Sequence, residues 1–322
     1  MVKIAIAGAT SQLARSLIDK LSDSGKHEIL GLIRKDPAQL PPLPGVEWVQ
    51  TTYEDETELA RLLQGVHTLL CFFAVHLDEG SAAQKRLIDA AVKANVKRYA
   101  PSEWSTGEKL DSAVDVIPWY GGKVEVARYL ESINKDKEVL EYCRFQTGSF
   151  LDYLGHPHHS PKHMVTIQGV IDFEKRHGLV IKGSLDDEAS FTLVEDIVNI
   201  VARAVEYEGK WPTIGGISGD RLTPRQQLRI GEIVRGTPFT VDWLEMEDLE
   251  AGSLKSEHYL KVDLPSIPAD QVEAFSKFAT IRILIASSRG LWTVTDEWNR
   301  IFPDYKFTKA GDFLTKVWAG RE

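Results

Sequence analysis

The chain has 322 residues, of which 43% are hydrophobic and 26% charged, with a formal net charge of −9. Such a composition buries a sizeable core and excludes a disordered chain. The acidic balance excludes nonspecific binding to a phosphate backbone, so no nucleic-acid partner is expected, although a local basic pocket can still hold one small anion.

At roughly 150 residues per domain, the length predicts two cooperating lobes. The first half alternates strand-like runs with helical patterns. Strands are expected at "KIAIAG" (3–8), "EILGLIR" (28–34), "VEWVQTT" (46–52), "TLLCFFA" (68–74), "KRYAPS" (97–102) and "LEYCRFQTG" (140–148). Between them "SQLARSLIDKLSDSG", "ETELARLLQGV", "AAQKRLIDAAVKANV" and "KVEVARYLESIN" repeat apolar residues at three- and four-residue steps. This is the pattern of an α/β protein, a parallel sheet covered by helices on both faces and joined by right-handed crossovers. Cys71 and Cys143 sit inside apolar runs and read as reduced core thiols, without a disulfide or a thiolate metal site. No charged leader with an apolar segment precedes the first strand, and no apolar run approaches the ~18 residues of a membrane span. A cytoplasmic protein with no membrane partner is expected.

After Phe150 the alternation breaks at "HPHHSPKH" (156–163). The expected division is residues 1–155 and 156–322, with 190–206 packing back on the first lobe. The second part predicts strands in "MVTIQGVIDF" and "HGLVIKGS", helices in "LVEDIVNIVARAVEY" and "TPRQQLRIGEIVRG", and an apolar tail ending "DFLTKVWAG". "SLDDEAS" (184–190) reads as a turn, and "WLEMEDLEAGSLKSEHYL" as a surface helix.

The turn after the first strand, "AGATSQLA" (7–14), has one glycine, Gly8, with Ser11 and Ala14 where a dinucleotide loop usually has its second and third. Alanine there still permits close helix packing, and a serine hydroxyl can cap the helix or donate to a phosphate oxygen. Alone, the loop is equally readable as a tight turn. The second strand ends in Arg34 and Lys35, where an NAD-binding fold places a carboxylate against the ribose hydroxyls. A planar fork of donors suits a 2′-phosphate, so the pair points to NADP(H). Later, "IPWYGGKVEVARYLE" opens a helix with Pro118 in its first turn, and Tyr120 and Lys123 would share a face. A cation beside a phenol makes it a usable proton donor or acceptor.

Taken together, "AGAT", "LIRK", "NVKRYAPSEWS", the helical lysine, "FTLVEDIVNIV" and "IFPDYKF" with a later "DFL" resemble the NmrA-like and isoflavone-reductase-like branch of the atypical short-chain dehydrogenases. The resemblance spans nearly the whole chain. It implies a Rossmann-type doubly wound parallel sheet, a smaller mixed α/β C-terminal lobe for substrate, and NADP(H) between them. It assigns Lys123 to the nicotinamide ribose and the chemical step. Gly8, Thr10, Ser11, Gln12 and Leu13 match the pyrophosphate turn, and Arg34 and Lys35 the 2′-phosphate site. Phe73, Ala74, Pro101, Ser102, Thr147, Gly148, Ser149 and Phe150 match strand-end segments along the dinucleotide. Two departures are the missing glycines and "EWS" in place of Glu-Phe-Gly, which alters the cleft floor near Trp104.

An aromatic cluster, Trp104, Trp119, Tyr120, Phe150 and Tyr153, falls at strand ends and suggests a cleft for a flat hydrophobic substrate. The histidine run reads as a solvated loop rather than a metal site, because Pro157 and Pro161 break helical ligand spacing. Folded over the cleft as a lid, it would bring His158 or His159 up as proton donor. The expected function is an NADPH-dependent reductase acting on a C=O, C=N or conjugated C=C of an aromatic or polycyclic natural product, monomeric or homodimeric and, by resemblance, fungal and biosynthetic. The alternatives are an NADP(H)-sensing regulator, which the presence of Lys123 disfavours, and a cofactor-assisted cyclase or rearrangement enzyme.

Overall fold

The structure, a computed structural model, describes residues 2–262 and 268–321. The apolar runs of the first half lie side by side as β1 (Lys3–Ala7), β2 (Glu28–Ile33), β3 (Val46–Gln50), β4 (Thr68–Cys71), β5 (Arg98–Ala100) and β6 (Glu141–Tyr142). All are parallel, in the order β3-β2-β1-β4-β5-β6. The returning helices are α1 (Gln12–Ser24), α2 (Glu56–Leu62), α3 (Ala82–Lys93) and α4 (Gly121–Ile133). Because side chains alternate across a strand, Ile4 and Ile6 of β1 enter one core with Leu13 and Leu17 of α1, while Ala5 and Ala7 enter another with Leu59 and Leu87. Strand order reverses at β1, which opens a crevice at its carboxyl end, where α1 begins.

The remaining strands are β7 (Arg144–Gln146), β8 (Ser149–Phe150), β9 (Ile171–Asp172), β10 (His177–Ile181), β11 (Ala189–Thr192), β12 (Ile214–Gly216), β13 (Asp220–Leu222) and β14 (Thr240–Leu244). β7 follows β6 after one residue and pairs in parallel with β12, which carries the hydrogen-bonded surface one strand further. Two mixed three-stranded sheets, β14-β10-β9 and β13-β11-β8, build the second lobe. Its helices are α5 (Val194–Glu206), α6 (Pro224–Arg235), α7 (Met246–Glu250), α8 (Val272–Ser288), α9 (Glu297–Ile301) and α10 (Ala310–Trp318). α5 lies against the first lobe: Val194, Ile197, Val198 and Val201 share a core with Leu13 and Leu17, joined by Trp211 and Trp298.

Three expected elements differ. "MVTIQGVIDF" contributes only Ile171–Asp172 as strand, and its first part runs irregularly along the cavity described below. "WLEMEDLEAGSLKSEHYL" is the end of β14, the five-residue α7 and an irregular stretch, not one helix. Pro118–Tyr120 forms a 3-10 turn, and α4 starts only at Gly121. Among the described residues no helix is long and apolar enough to cross a membrane.

Candidate functional site

The turn between β1 and α1 is held open from beneath. Gly8 has φ +69°, and a Cβ there would stand 2.8 Å from the Phe72 carbonyl oxygen, so this glycine is required both by conformation and by close approach. Its N–H donates to the Tyr53 hydroxyl (2.9 Å), which donates in turn to the Leu32 carbonyl (2.7 Å). Burial pushes the Tyr53 phenol well above its ordinary pKa and keeps it a donor. Ser11 is the N-cap of α1, yet its side chain makes no cap hydrogen bond. Its hydroxyl is buried and has no partner among the described residues. The first amides of α1 therefore lack a side-chain cap, an arrangement suited to an anion. Thr10 is exposed beside it. Arg34 and Lys35 are exposed at the end of β2, with the Arg34 guanidinium 5.6 Å from the centre of the Tyr53 ring. Gly8, Thr10, Arg34 and Lys35 lie beside the cavity rather than on its lining.

Lys123 stands in the first turn of α4 and is only 6% exposed. Its ammonium donates to the Glu103 backbone oxygen (2.5 Å) and lies 3.9 Å from the centroid of the Tyr120 ring. The cation thus covers the ring face; this contact, set by the 3-10 turn before α4, replaces the expected shared helix face. Glu103 is held by its carboxylate, which accepts from Arg144 at 3.2 and 3.4 Å. Ser102 is pinned through its N–H to Gln84 (2.8 Å) and through its hydroxyl to the Phe73 carbonyl (2.7 Å). Gly148, at φ +69°, brings its backbone against Ser190, where a Cβ would meet the carbonyl oxygen at 2.3 Å.

A cavity of about 520 Å³ joins these pieces. It runs from Ser11, Gln12 and Leu13 past Phe73, Ala74, Ser102, Tyr120 and Lys123 to Gly148, Ser149, Phe150 and Tyr153. It continues into the second lobe among Met164, Ile167, Val170, Leu179, Phe191 and Leu284. Burial raises the Tyr153 phenol pKa, with the neighbouring Tyr120 adding to the effect, so it stays protonated. Pro101 and Thr147 are buried just behind the lining. Trp104 reaches the lining but belongs to a stack, 4.4 Å from Phe72 and 5.2 Å from Phe145 between ring centres, with its indole N–H donating to the Cys71 carbonyl (2.7 Å).

Three expected substrate residues stand off the cavity lining. Trp119 lies off the cavity and packs edge-on against Tyr120 and Phe278. His158 pairs with Glu174 (2.7 Å) and stands edge-on to Trp318, and His159 pairs with Asp152 (3.0 Å) and Phe313. Neither histidine reaches the lining. Their loop is solvated, with Pro157, His158, Ser160 and Lys162 exposed, and is also tied down: Lys162 and His163 both pair with Asp19 of α1 (2.6 and 2.7 Å), and the Val165 N–H donates to the Gln12 side chain (3.1 Å). What this segment brings to the cavity is Met164 and Ile167. Sequence reasoning also missed Glu103, Tyr53 and the second-lobe lining, which sits in short strands and in α8, whose "VEAFSKFATIRILIASS" has no clear polar stripe. Cys71 and Cys143 are free and buried; burial pushes both thiols up, Cys71 to about 12, so neither is a thiolate nucleophile. Among the described residues no group of three or more His, Cys, Asp or Glu is placed to hold a metal ion.

The model of the NmrA-like family matches residues 2–257. The chain belongs to that family. As an NmrA-like protein it is 28% identical to oxidoreductase BOA1 of Botryotinia fuckeliana (strain B05.10) over 239 residues, covering 73% of this chain and 77% of that one. Its fold is shared with AtPrR2, solved with NADP+ and (+)pinoresinol (TM-score 0.67, 15% identity, 98% of each chain). It is shared equally with the NADPH-dependent quinone oxidoreductase QOR2 of Escherichia coli, solved with NADPH (TM-score 0.67, 20% identity, 98% of this chain and 99% of that one). These likenesses carry the Rossmann-type sheet with its mixed second lobe over the whole chain.

Proposed function

We propose that this protein is an NADPH-dependent reductase that transfers hydride to a C=O, C=N or conjugated C=C of an aromatic or polycyclic compound, in the biosynthesis of a natural product. The observation that carries the reading is the single cavity that links the uncapped start of α1, the buried Lys123 and an apolar second-lobe wall. The oxidoreductase relative and the cofactors held by the two fold neighbours support it.

The residues present fit a dinucleotide phosphate. The unpartnered Ser11 hydroxyl and the Gly8 approach to Phe72 leave a cradle at the start of α1, which Gln12 and Leu13 complete. Arg34 and Lys35 would hold the 2′-phosphate at the exposed end of β2, on the logic that two cations stand where a ribose-binding carboxylate otherwise would. When bound, NADPH supplies the hydride. The chain's own part is electrostatic and steric. Lys123 presents a fixed cation, preorganised by Glu103, to negative charge that develops on the substrate. Tyr120 and Tyr153 line the same space, and their hydroxyls have no partner among the described residues, so each can donate a proton. The apolar walls exclude water and strengthen these interactions. In this reading residues 1–155 with α5 form the cofactor lobe, and the rest of 156–322 shapes the substrate.

The test is a titration with NADPH and NADH, followed by nicotinamide fluorescence, and then turnover of a polycyclic quinone with 4-deuterated NADPH. Tight NADPH binding and a labelled product are expected. Binding of neither dinucleotide would overturn the cofactor assignment, whereas an unlabelled product would replace reduction by a redox-neutral rearrangement. Preference for NADH would remove only the roles given to Arg34 and Lys35.

A further inference from the structure

The second-lobe end of the cavity is largely apolar, Gln168, Ser287 and Ser288 apart, and at one further place polar residues come together. There the turn between β10 and β11 contributes Ser184 and Asp187, and the first turn of α6 contributes Gln227. Gln227 is only 6% exposed, and its side-chain amide has no hydrogen-bond partner among the described residues. The Asp187 carboxylate likewise has neither an ion pair nor a hydrogen bond among them. Its neighbour differs: Asp186 points outward and is held by a two-pronged Arg225 pair at 2.7 and 2.8 Å. The Arg225 N–H also donates to the Leu185 carbonyl (3.1 Å). The turn is thereby fastened to the start of α6, and Asp187 and Gln227 are fixed on one wall of the same cavity. The adjacent cation is already committed to Asp186, so the charge of Asp187 is left for something else. The Gln227 amide keeps its accessible surface on the cavity side and is not sealed in the protein, and a few convergent polar groups in an apolar pocket are what orient a ligand.

We propose that Asp187 and Gln227, with Ser184 beside them, form a polar subsite that takes a hydrogen-bond donor, a hydroxyl or a protonated amine, on the end of the substrate remote from Lys123. The carboxylate accepts the donor's hydrogen, and the Gln227 amide completes its remaining lone pair or hydrogen. The proposal deepens the reductase reading and rests on it only for the reaction at the substrate's other end. It gives a use for a half-exposed carboxylate that the "SLDDEAS" turn places on the cavity lining.

The experiment uses the full-length protein and isothermal titration with three probes, 2-methylanthraquinone, 2-(hydroxymethyl)anthraquinone and 2-(aminomethyl)anthraquinone. A donor-bearing probe is expected to bind about tenfold tighter than the methyl probe, the size of one good hydrogen bond to a charged acceptor. Asp187→Ala and Gln227→Leu should each cut that preference at least threefold while the methyl probe binds as before, which also reports an intact fold. Asp187→Asn separates the two donors: it spares preference for the hydroxyl and abolishes preference for the ammonium. Equal binding of all three probes by the wild-type protein overturns the subsite, as does a preference that survives both Asp187→Ala and Gln227→Leu, or no binding of any probe. Hydride transfer is read separately. Discrimination that persists without any turnover overturns the reductase reading and leaves the subsite standing.

Discussion

Replacing Lys123 by Met removes the ammonium and keeps an unbranched apolar stem one atom shorter. The lost interactions are the 2.5 Å hydrogen bond to the Glu103 carbonyl and the contact 3.9 Å from the Tyr120 ring centre. A charge-assisted hydrogen bond contributes about 1.5–3 kcal/mol and a desolvated cation over a ring about 2 kcal/mol. Against them stands the cost of holding a cation 94% buried, several kcal/mol by the same reasoning that makes buried charges replaceable by apolar groups. The terms nearly cancel, so the net change in stability is expected within about 1 kcal/mol, a Tm shift of no more than ~4 °C. Catalysis has no such compensation. A preorganised donor aimed at developing charge accounts for about 100- to 1000-fold in kcat, and Lys123→Met should lose that much while NADPH affinity falls no more than about tenfold. Calorimetry, a fluorescence titration and steady-state rates on one quinone give the three quantities. A kcat within threefold of wild type, with the Tm unchanged, would refute the catalytic role of Lys123.

Arg34→Ala and Lys35→Ala should each weaken NADPH by about tenfold at low ionic strength and leave NADH unchanged, because these exposed charges would meet only the 2′-phosphate; parallel losses for both dinucleotides in titrations would refute that assignment. Tyr53→Phe removes the hydroxyl that joins Gly8 to Leu32 and should cost about 1–3 kcal/mol by urea denaturation, with weaker dinucleotide binding, since the Gly8 N–H loses its partner. Trp104→Ala should cost about 3–5 kcal/mol, as expected for a large aromatic removed from a stacked core. Burial alone would raise the Asp19 carboxyl pKa, but hydrogen bonds from Lys162 and His163 outweigh it and hold the group below its ordinary 3.8. A depressed carboxylate contributes stability above its unfolded pKa and loses it as pH falls through the folded one. Asp19→Asn should therefore lower Tm at pH 6, and melts in steps down to pH 2 should show the gap to wild type closing below about pH 4; a gap that persists at pH 2 would refute the pairing.

The first lobe was legible because its signals are local. "KIAIAG", "EILGLIR" and "TLLCFFA" are apolar on both sides, as strands covered by helices on both faces must be, and the three- and four-residue steps of "SQLARSLIDKL" give a helix one buried stripe. The same locality marked out Gly8, Ser11 and Lys123, since a strand-to-helix turn and the start of a helix are each read within a few residues. The second-lobe wall was not legible for the opposite reason. Its lining comes from residues as far apart as Met164, Gln227 and Trp292, and a sequence pattern shows which face of an element is apolar without showing what it meets. His158 and His159 drew attention by chemistry alone, and the fold uses both against carboxylates and aromatic rings away from the cavity. Trp119 stands off the cavity because a 3-10 turn before α4 rotates consecutive aromatic residues apart, so that Tyr120 faces the cavity and Trp119 faces Phe278.

The "EWS" departure has a physical account that a substrate contact does not require. Trp104 holds φ +42°, a conformation that disfavours bulky side chains, so surrounding bonds must over-determine it. They do: its N–H donates to the Phe145 carbonyl (3.0 Å), its indole to the Cys71 carbonyl (2.7 Å), and its ring is sandwiched between Phe72 and Phe145. The residue before it is Glu103, whose carboxylate is fixed by Arg144 and whose carbonyl receives Lys123. A backbone locked at Trp104 therefore fixes the carbonyl that aims the ammonium. The tryptophan shapes the cavity floor chiefly by anchoring this acceptor, and under the role proposed for Lys123 the tolerance to error is small, because a 1 Å misplacement of a catalytic group costs on the order of 100-fold in rate.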